Sequence, residues 1–142
     1  MGMGYLTIQV SLANEAVPVE GATVTIQDLS GRILYMLTTD ASGRTKTVGL
    51  YAPDKAYTED LYYGGMPYAT YRVTVTHPGL TSVLINGVQI FDTVEAVEYV
   101  EMHPAAAGGP PYDVINIPPH TLVQRTPTDQ QGAVPPLAGR PQ

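Results

Sequence analysis

The sequence predicts an all-β fold, an antiparallel sandwich of seven strands with a proline-rich tail, and three observations indicate it. Apolar and polar residues alternate in several short segments, as they do on strands that bury one face. Gly, Pro, Asn and Asp separate those segments at short intervals. The aromatic residues are ten Tyr and one Phe without any Trp, which suits strand faces where a ring packs and its hydroxyl stays in water.

The first three strands follow from their alternation. In YLTIQVSL, the side chains of Leu6, Ile8 and Val10 share one face, which predicts a half-buried strand. The segment ATVTIQDL repeats the pattern. The short LSGR reversal after it predicts that RILYMLTT returns antiparallel as a hairpin partner.

The turn after the third strand, TDASGR, is rich in residues that reverse a chain. Asp40 can bond its own backbone two residues ahead, and Gly43 can adopt a positive φ without a Cβ penalty. We therefore expect a hairpin loop that leads into RTKTVGL, the fourth strand. The following DKAYTEDLYYGGMPYA lacks a clean period, which predicts a long excursion with a short helical turn around Tyr57 to Leu61.

Three more strands complete the predicted sandwich. The segment YATYRVTVT alternates, and LTSVLINGVQIF carries an Asn86-Gly87 pair that indicates a turn or bulge. The segment VEAVEYVEM is ambiguous, since Val94, Val97 and Val100 recur at a spacing that a helix also uses. Its alternation and its β-branched residues favour a final strand. No internal repeat is predicted.

The chain divides by composition into a domain and a tail. A length of 142 residues with 44% hydrophobic and 14% charged residues suits one domain with a modest core. Nine of the thirteen prolines fall from Pro104 onward. We therefore expect residues 1–103 to form the sandwich and residues 104–142 to form a largely disordered Pro/Gly-rich linker or tail, because such a composition cannot offset the ~1 to 2 kcal/mol per residue that ordering costs.

One apolar island, DVINIPPHTL, interrupts the tail. Apolar side chains in a polar, proline-rich segment gain nothing unless something buries them. The island is therefore predicted to dock either on a sheet edge or on a protein partner. The candidate partner-binding residues are Val114, Ile115, Ile117, His120 and Leu122. For His120, a solvated linker histidine is the alternative.

Charge and composition exclude several classes of partner. A net charge of −6 without any run of Lys or Arg opposes binding to a phosphate backbone or an anionic lipid surface, so we expect no nucleic-acid partner. No stretch approaches the ~20 apolar residues of a membrane span. The N-terminal MGMGYLTIQVSL lacks a basic region and alternates, which predicts a strand rather than a signal peptide. The absence of Cys excludes disulfides and thiol catalysis.

No catalytic, cofactor or metal site is predicted. His77, His103 and His120 are far apart in the sequence, and none has a second ligand at the close spacing of a zinc site. No G-x-S-x-G motif is present to supply an activated serine. The three Glu of VEAVEYVEM should alternate between the two faces of a strand and keep an exposed edge soluble, rather than form a glycosidase pair.

Four tyrosines on the predicted excursion form a second candidate site: Tyr57, Tyr62, Tyr63 and Tyr68. Exposed tyrosines on a long loop can stack on sugars or fill a pocket of a protein partner. The alternative is that these rings cover the open end of the sandwich.

The order of four segments resembles a known family. PVEGATVTI, TDASGR, LYAP and YRVTVTHPGL, taken together, resemble the carboxypeptidase regulatory-like modules, which are small transthyretin-like sandwiches. The likeness covers Tyr5 to about Met102. It implies a seven-stranded transthyretin-like fold that accompanies enzymes without carrying their chemistry.

Three segments resemble a second and narrower group. GYLTIQV, GVQIFDTVEAVEYVEM and VINIPPHTL look like the N-terminal pre- and pro-region of spore cortex-lytic enzymes. In that family the region precedes a peptidoglycan-cleaving portion, which stays inactive until a protease removes the pro-segment during germination. This sequence departs from the pattern because no catalytic portion follows the tail before Gln142, so we expect a free-standing paralogue or a fragment.

The resemblance gives the expected function. It implies a non-catalytic module that binds or restrains a cell-wall lytic partner, a peptidoglycan-cleaving enzyme, in the spore cortex or envelope. The alternative is a structural or adhesive cell-surface module of the same fold with no enzyme partner. An enzyme acting alone is the third and least favoured reading, given the missing catalytic groups.

Overall fold

The computed structural model describes residues 2–12, 17–58 and 65–118, and of Tyr57 and Thr58 the backbone alone. These residues form eight strands and one helical turn, and the strands make two facing sheets. In chain order, the elements are β1 (Gly2–Leu12), β2 (Thr23–Gln27), β3 (Ile33–Thr38), β4 (Val48–Ala52), α1 (Lys55–Thr58), β5 (Ala69–Thr76), β6 (Ser82–Ile90), β7 (Glu95–Met102) and β8 (Tyr112–Asn116).

Both sheets are mixed. The small sheet has the order β4-β1-β7, and the large sheet has the order β3-β2-β5-β6-β8. The pairings β1–β7 and β6–β8 are parallel, whereas the other pairings are antiparallel. The prediction of seven antiparallel strands is therefore wrong in number and in part of its pairing, although the sandwich itself is confirmed. Alternation reports which face of a strand is buried, and it carries no information on the direction of the neighbour.

The core lies between the sheets and is built from the alternating positions. Leu6, Ile8 and Val10 of β1 are fully buried, as predicted, and belong to one core cluster with Val73 and Val75 of β5. Each such side chain stabilises the fold by about 1.5 to 3 kcal/mol relative to an exposed position. β7 buries Val100 and Met102, which confirms a strand over a helix.

The β2–β3 reversal is the hairpin that the sequence predicts. Asp28 accepts three hydrogen bonds on Oδ1: from the Ser30 amide (2.9 Å), the Ser30 hydroxyl (2.6 Å) and the Arg32 amide (3.0 Å). Gly31 completes the turn with φ of 93°. This single carboxylate therefore fixes the whole reversal, here called the first turn (residues 28–32).

The TDASGR segment forms a turn as predicted, but the prediction that it closes a hairpin is wrong. β3 lies in the large sheet and β4 in the small one, so residues 39–47 carry the chain from one sheet to the other. The turn at residues 40–44, here called the second turn, repeats the D-x-S-G-R pattern of the first turn. That pattern is a short internal repeat, which the sequence analysis did not predict.

Two local features agree with the sequence. Gly87 has φ of 87° and lies at a register shift between β5 and β6, so the Asn86-Gly87 pair marks a bulge inside β6. The helical turn predicted around residues 57–61 begins earlier, at Lys55, and is described as far as Thr58. No helix in the described part of the chain is long and apolar enough to cross a membrane.

The described part of the apolar island, residues 113–118, docks on a sheet edge, which is one of the two predicted outcomes. β8 pairs in parallel with β6, and Ile117 continues the ladder by donating its amide to the Asn86 carbonyl (2.9 Å). The described β-structure therefore extends past the boundary predicted at residue 103. Docking supplies β8 with the partner that makes its ordering favourable, a tertiary effect that composition does not report.

Candidate functional site

Among the described residues, β8 is the outermost strand of the large sheet, and each of its faces leaves an apolar side chain exposed. Val114 is 55% exposed and Ile115 is 44% exposed. Because successive side chains on a strand point to opposite faces, these two residues leave one apolar group bare on each side of the sheet. Ile117 differs from them, since it is half-buried and packs against the core.

The backbone of β8 also has a free side. The Ile117 amide points to β6, so by alternation the amides of Asp113 and Ile115 do too. The amides of Val114 and Asn116 then point away from the sheet. Within the part of the chain that the structure describes, no partner pairs with these outward backbone groups, and they lie next to exposed apolar side chains. This is the arrangement that accepts an additional strand.

Polar side chains hold β8 in its register. Asn86 donates from Nδ2 to Oδ1 of Asn116 (3.0 Å) and accepts at Oδ1 from Nε of Arg72 (2.9 Å). Gln89 donates from Nε2 to the Pro118 carbonyl (2.8 Å). The strand is therefore attached to β6 by side chains as well as by its ladder.

The other predicted site residues are placed as follows. His120, Leu122, Tyr62 and Tyr63 lie outside the described residues, as does the side chain of Tyr57. Tyr68 is buried and packs against Phe91, with ring centroids 5.3 Å apart. For this tyrosine, the structure supports the alternative that its ring covers the end of the sandwich.

The glutamates of β7 only partly follow the prediction. Glu95 and Glu101 are exposed, whereas Glu98 lies on the inner face with intermediate exposure. Burial raises the pKa of the Glu98 carboxyl above its ordinary value. In residues 2–12, 17–58 and 65–118, no three His, Asp or Glu side chains form a group that could hold a metal ion.

A second candidate site, which the sequence analysis missed, lies where the free edge of β4 faces β3. It is a cavity of about 450 Å³, here called the seam cleft. Its lining residues come from the first turn, β3, β4 and β5: Asp28, Arg32, Leu34, Tyr35, Gly49, Leu50, Tyr51 and Tyr71.

Two tyrosines of the large sheet hydrogen-bond to the free edge of β4. The Tyr35 hydroxyl donates to the Gly49 carbonyl (2.9 Å), and the Tyr71 hydroxyl donates to the Tyr51 carbonyl (2.7 Å). These carbonyls belong to alternate residues, which in an antiparallel ladder share one side of the strand. The phenols therefore take the place of a neighbouring strand and prevent strand addition on this edge.

The electrostatics of the seam cleft follow from these contacts. The Ser30 hydroxyl, together with the backbone amides of the first turn, lowers the pKa of the Asp28 carboxyl, so Asp28 is charged at neutral pH. Burial raises the pKa of the Tyr71 phenol, and the neighbouring Tyr51 and Asp28 raise it further. The Arg32 Nε lies 3.5 Å from Asp28 Oδ2, so the cleft contains a carboxylate and a guanidinium that nearly balance in charge.

The tyrosines of the seam cleft are visible in the sequence, but the sequence does not show which groups they contact. Tyr35 and Tyr71 stand at strand positions, and their partners are main-chain carbonyls of a strand in the other sheet. Only the pairing of the strands shows that β4 has a free edge there.

No family model and no curated protein matches this chain. Solved structures match over part of it. The TIE protein of Bacillus anthracis aligns with a TM-score of 0.49 at 17% identity, over 71% of this chain and 16% of that one. GBS52, the minor pilin of Streptococcus agalactiae, aligns with a TM-score of 0.49 at 14% identity, over 74% of this chain and 46% of that one.

An enzyme is among the matching structures as well. The 3-chlorocatechol 1,2-dioxygenase of Rhodococcus opacus aligns with a TM-score of 0.47 at 11% identity, over 73% of this chain and 60% of that one. The chain spans less than two thirds of the length of each of these three proteins. At such identities the likeness concerns the fold alone, an all-β sandwich-like arrangement.

Proposed function

We propose that this chain is a non-catalytic β-sandwich module that binds a protein partner along β8. The observation that carries the proposal is the edge itself, where Val114 and Ile115 are exposed on opposite faces beside a free row of backbone groups. A strand added there would pair with the Val114 and Asn116 backbone and bury both apolar side chains.

The energetics favour such a contact. Val114 and Ile115 are already about half buried, so covering the rest of each side chain contributes roughly 1 to 1.5 kcal/mol, and pairing along the edge adds main-chain hydrogen bonds. β8 is already ordered on β6, so binding does not have to fix this strand. A micromolar contact needs roughly 8 kcal/mol in total, so the partner is expected to bury further apolar surface beside the edge.

The partner in this proposal is a peptidoglycan-cleaving enzyme that the module binds or restrains. The resemblance of GYLTIQV and VINIPPHTL to the pro-region of spore cortex-lytic enzymes supports it, and the proposed location is accordingly the spore cortex or envelope. The module itself is expected not to cleave peptidoglycan. Hydrolysis by the purified wild-type chain would contradict this part of the proposal.

The test is capture from sporulating cells with the wild-type chain and two variants. Replacing Val114 and Ile115 by Ser should remove a captured peptidoglycan-cleaving enzyme. The control replaces Ile33 and Met36 by Ser on β3, the opposite edge of the same sheet, where exposure is similar at 51% and 64%. The control should retain the enzyme. Retention by both variants would show that β8 is not the binding edge.

A structural or adhesive surface module is the second candidate, and one observation favours it. The outer face of the small sheet exposes several large side chains: Met3, Tyr5, Tyr51, Val97 and Tyr99. Exposed apolar patches of this kind mark interaction surfaces in soluble proteins. If the captured partners include no lytic enzyme, and a Tyr99→Ser variant loses them while the β8 variant keeps them, this second function replaces the first.

A further inference from the structure

We propose that the seam cleft is a binding site for a neutral glycan that contains N-acetylhexosamine. This site lies at the edge opposite to β8 and does not depend on the protein-binding function proposed above. Its volume of about 450 Å³ falls within the range of small-ligand sites and accommodates a sugar ring with its substituents.

The walls of the cleft are rigid before any ligand arrives. The rings of Tyr35 and Tyr71 are fixed by hydrogen bonds from their hydroxyls to β4, and Asp28 is fixed by three donors of the first turn. Aromatic faces provide an apolar surface for the C–H groups of a pyranose ring. A preformed site of this kind loses little entropy on binding.

The polar groups of the cleft match both halves of an acetamido group. Gly49 and Tyr51 carry their amides on the same side of β4 as the carbonyls that accept from the tyrosines, so N–H donors face the cleft. They suit the acetamido carbonyl. Asp28 Oδ2, whose sister oxygen Oδ1 is occupied by the turn, is the acceptor for the acetamido N–H or a ring hydroxyl.

The remaining lining residues decide the class of sugar. Leu34, which is half-buried, and the edge of the buried Leu50 supply a small apolar wall for an acetyl methyl group. Arg32 is paired with Asp28, so the cleft offers no net positive charge to an acidic sugar. The net charge of −6 also opposes a polyanion. A neutral N-acetylated sugar satisfies all of these groups, whereas an unacetylated one leaves the leucine wall and an amide unused.

The experiment titrates the full chain with the tetramer of N-acetylglucosamine and follows backbone and tyrosine NMR signals. Saturable shifts are expected at Gly49, Tyr51 and Tyr71. The glucose tetramer with the same linkage, which lacks the acetamido groups, should bind at least about tenfold more weakly, because it offers no amide carbonyl to the N–H groups of Gly49 and Tyr51. Equal affinity for the two tetramers would overturn the assignment to N-acetylated sugars.

The repeated turn supplies a matched control. Arg32→Ala should weaken the tetramer about tenfold, whereas Arg44→Ala, the same position of the second turn, should leave the affinity unchanged. Arg32 is exposed, so its replacement should not affect folding. The proposal would be overturned if no signal shifted saturably, or if the shifts were confined to β8. It would also be overturned if the two arginine variants changed the affinity equally.

Discussion

The first and second turns share the pattern D-x-S-G-R and the same internal hydrogen bonds, yet one connects strands of the same sheet and the other connects strands of different sheets. In the second turn, Asp40 Oδ1 accepts from the Ser42 amide (2.9 Å), the Ser42 hydroxyl (2.6 Å) and the Arg44 amide (3.1 Å), as Asp28 does in the first. The first turn joins neighbours within one sheet, and the second carries the chain between sheets.

Their surroundings explain the difference. The first turn projects into solvent, and a Cβ added to Gly31 would meet nothing. The second turn packs against β1: the Gly43 carbonyl accepts from the Val10 amide (2.8 Å), and the Thr45 amide donates to the Ile8 carbonyl (2.9 Å). Five residues therefore encode the shape of a turn, whereas the contacts outside the turn decide which strands it connects.

The largest difference in stability between matched variants of the two turns is expected at their glycines. Gly43→Val should lower the free energy of unfolding by about 1 to 3 kcal/mol from positive φ alone, and further because its Cβ would collide with the Val10 carbonyl. Gly31→Val carries the strain of positive φ without the collision. Chemical denaturation measures the free energy of unfolding of both variants. Equal losses would show that the second turn does not pack on β1.

A smaller difference is expected at the residues that precede each aspartate. The Thr39 hydroxyl is buried, donates to the Val19 carbonyl (2.7 Å) and accepts from the Ala22 amide (2.9 Å). Thr39→Val should therefore lower the free energy of unfolding by about 1 to 3 kcal/mol. Gln27→Ala removes one exposed bond to the Gly31 carbonyl and should change stability by less than about 0.5 kcal/mol. Similar thermal midpoints for the two variants would contradict this account.

The smallest effect, and one that should be equal in both turns, is on acid stability. The serine hydroxyl of each turn is the main cause that lowers the pKa of its aspartate, Asp28 or Asp40, below the ordinary value of 3.8. A lowered folded-state pKa means that the stabilisation is present above about pH 4 and is lost as pH falls through the folded-state pKa. Asp28→Asn and Asp40→Asn should each flatten the decline below pH 4 to the same small extent. Unequal flattening in acid titrations of stability would show that the two carboxylates differ electrostatically.

The features that were predicted correctly from the sequence depend on residues that lie close together along the chain. The buried face of β1, the β2–β3 hairpin and the bulge at Gly87 followed from alternation and turn chemistry. Docking on a sheet edge was one of the two outcomes predicted for the apolar island. The parallel pairing of β8, the switch of sheets after residue 38 and the seam cleft depend on which strands meet. A single sequence does not report those long-range choices.

Amide hydrogen exchange along β8 in the isolated chain tests the central claim that a docked strand presents a free edge. The account predicts alternation, with slow exchange at Asp113, Ile115 and Ile117, whose amides face β6, and fast exchange at Val114 and Asn116. A captured partner should then slow Val114 and Asn116 selectively. Uniformly fast exchange would show that β8 is not part of the sheet, and uniformly slow exchange would show that its edge is already covered.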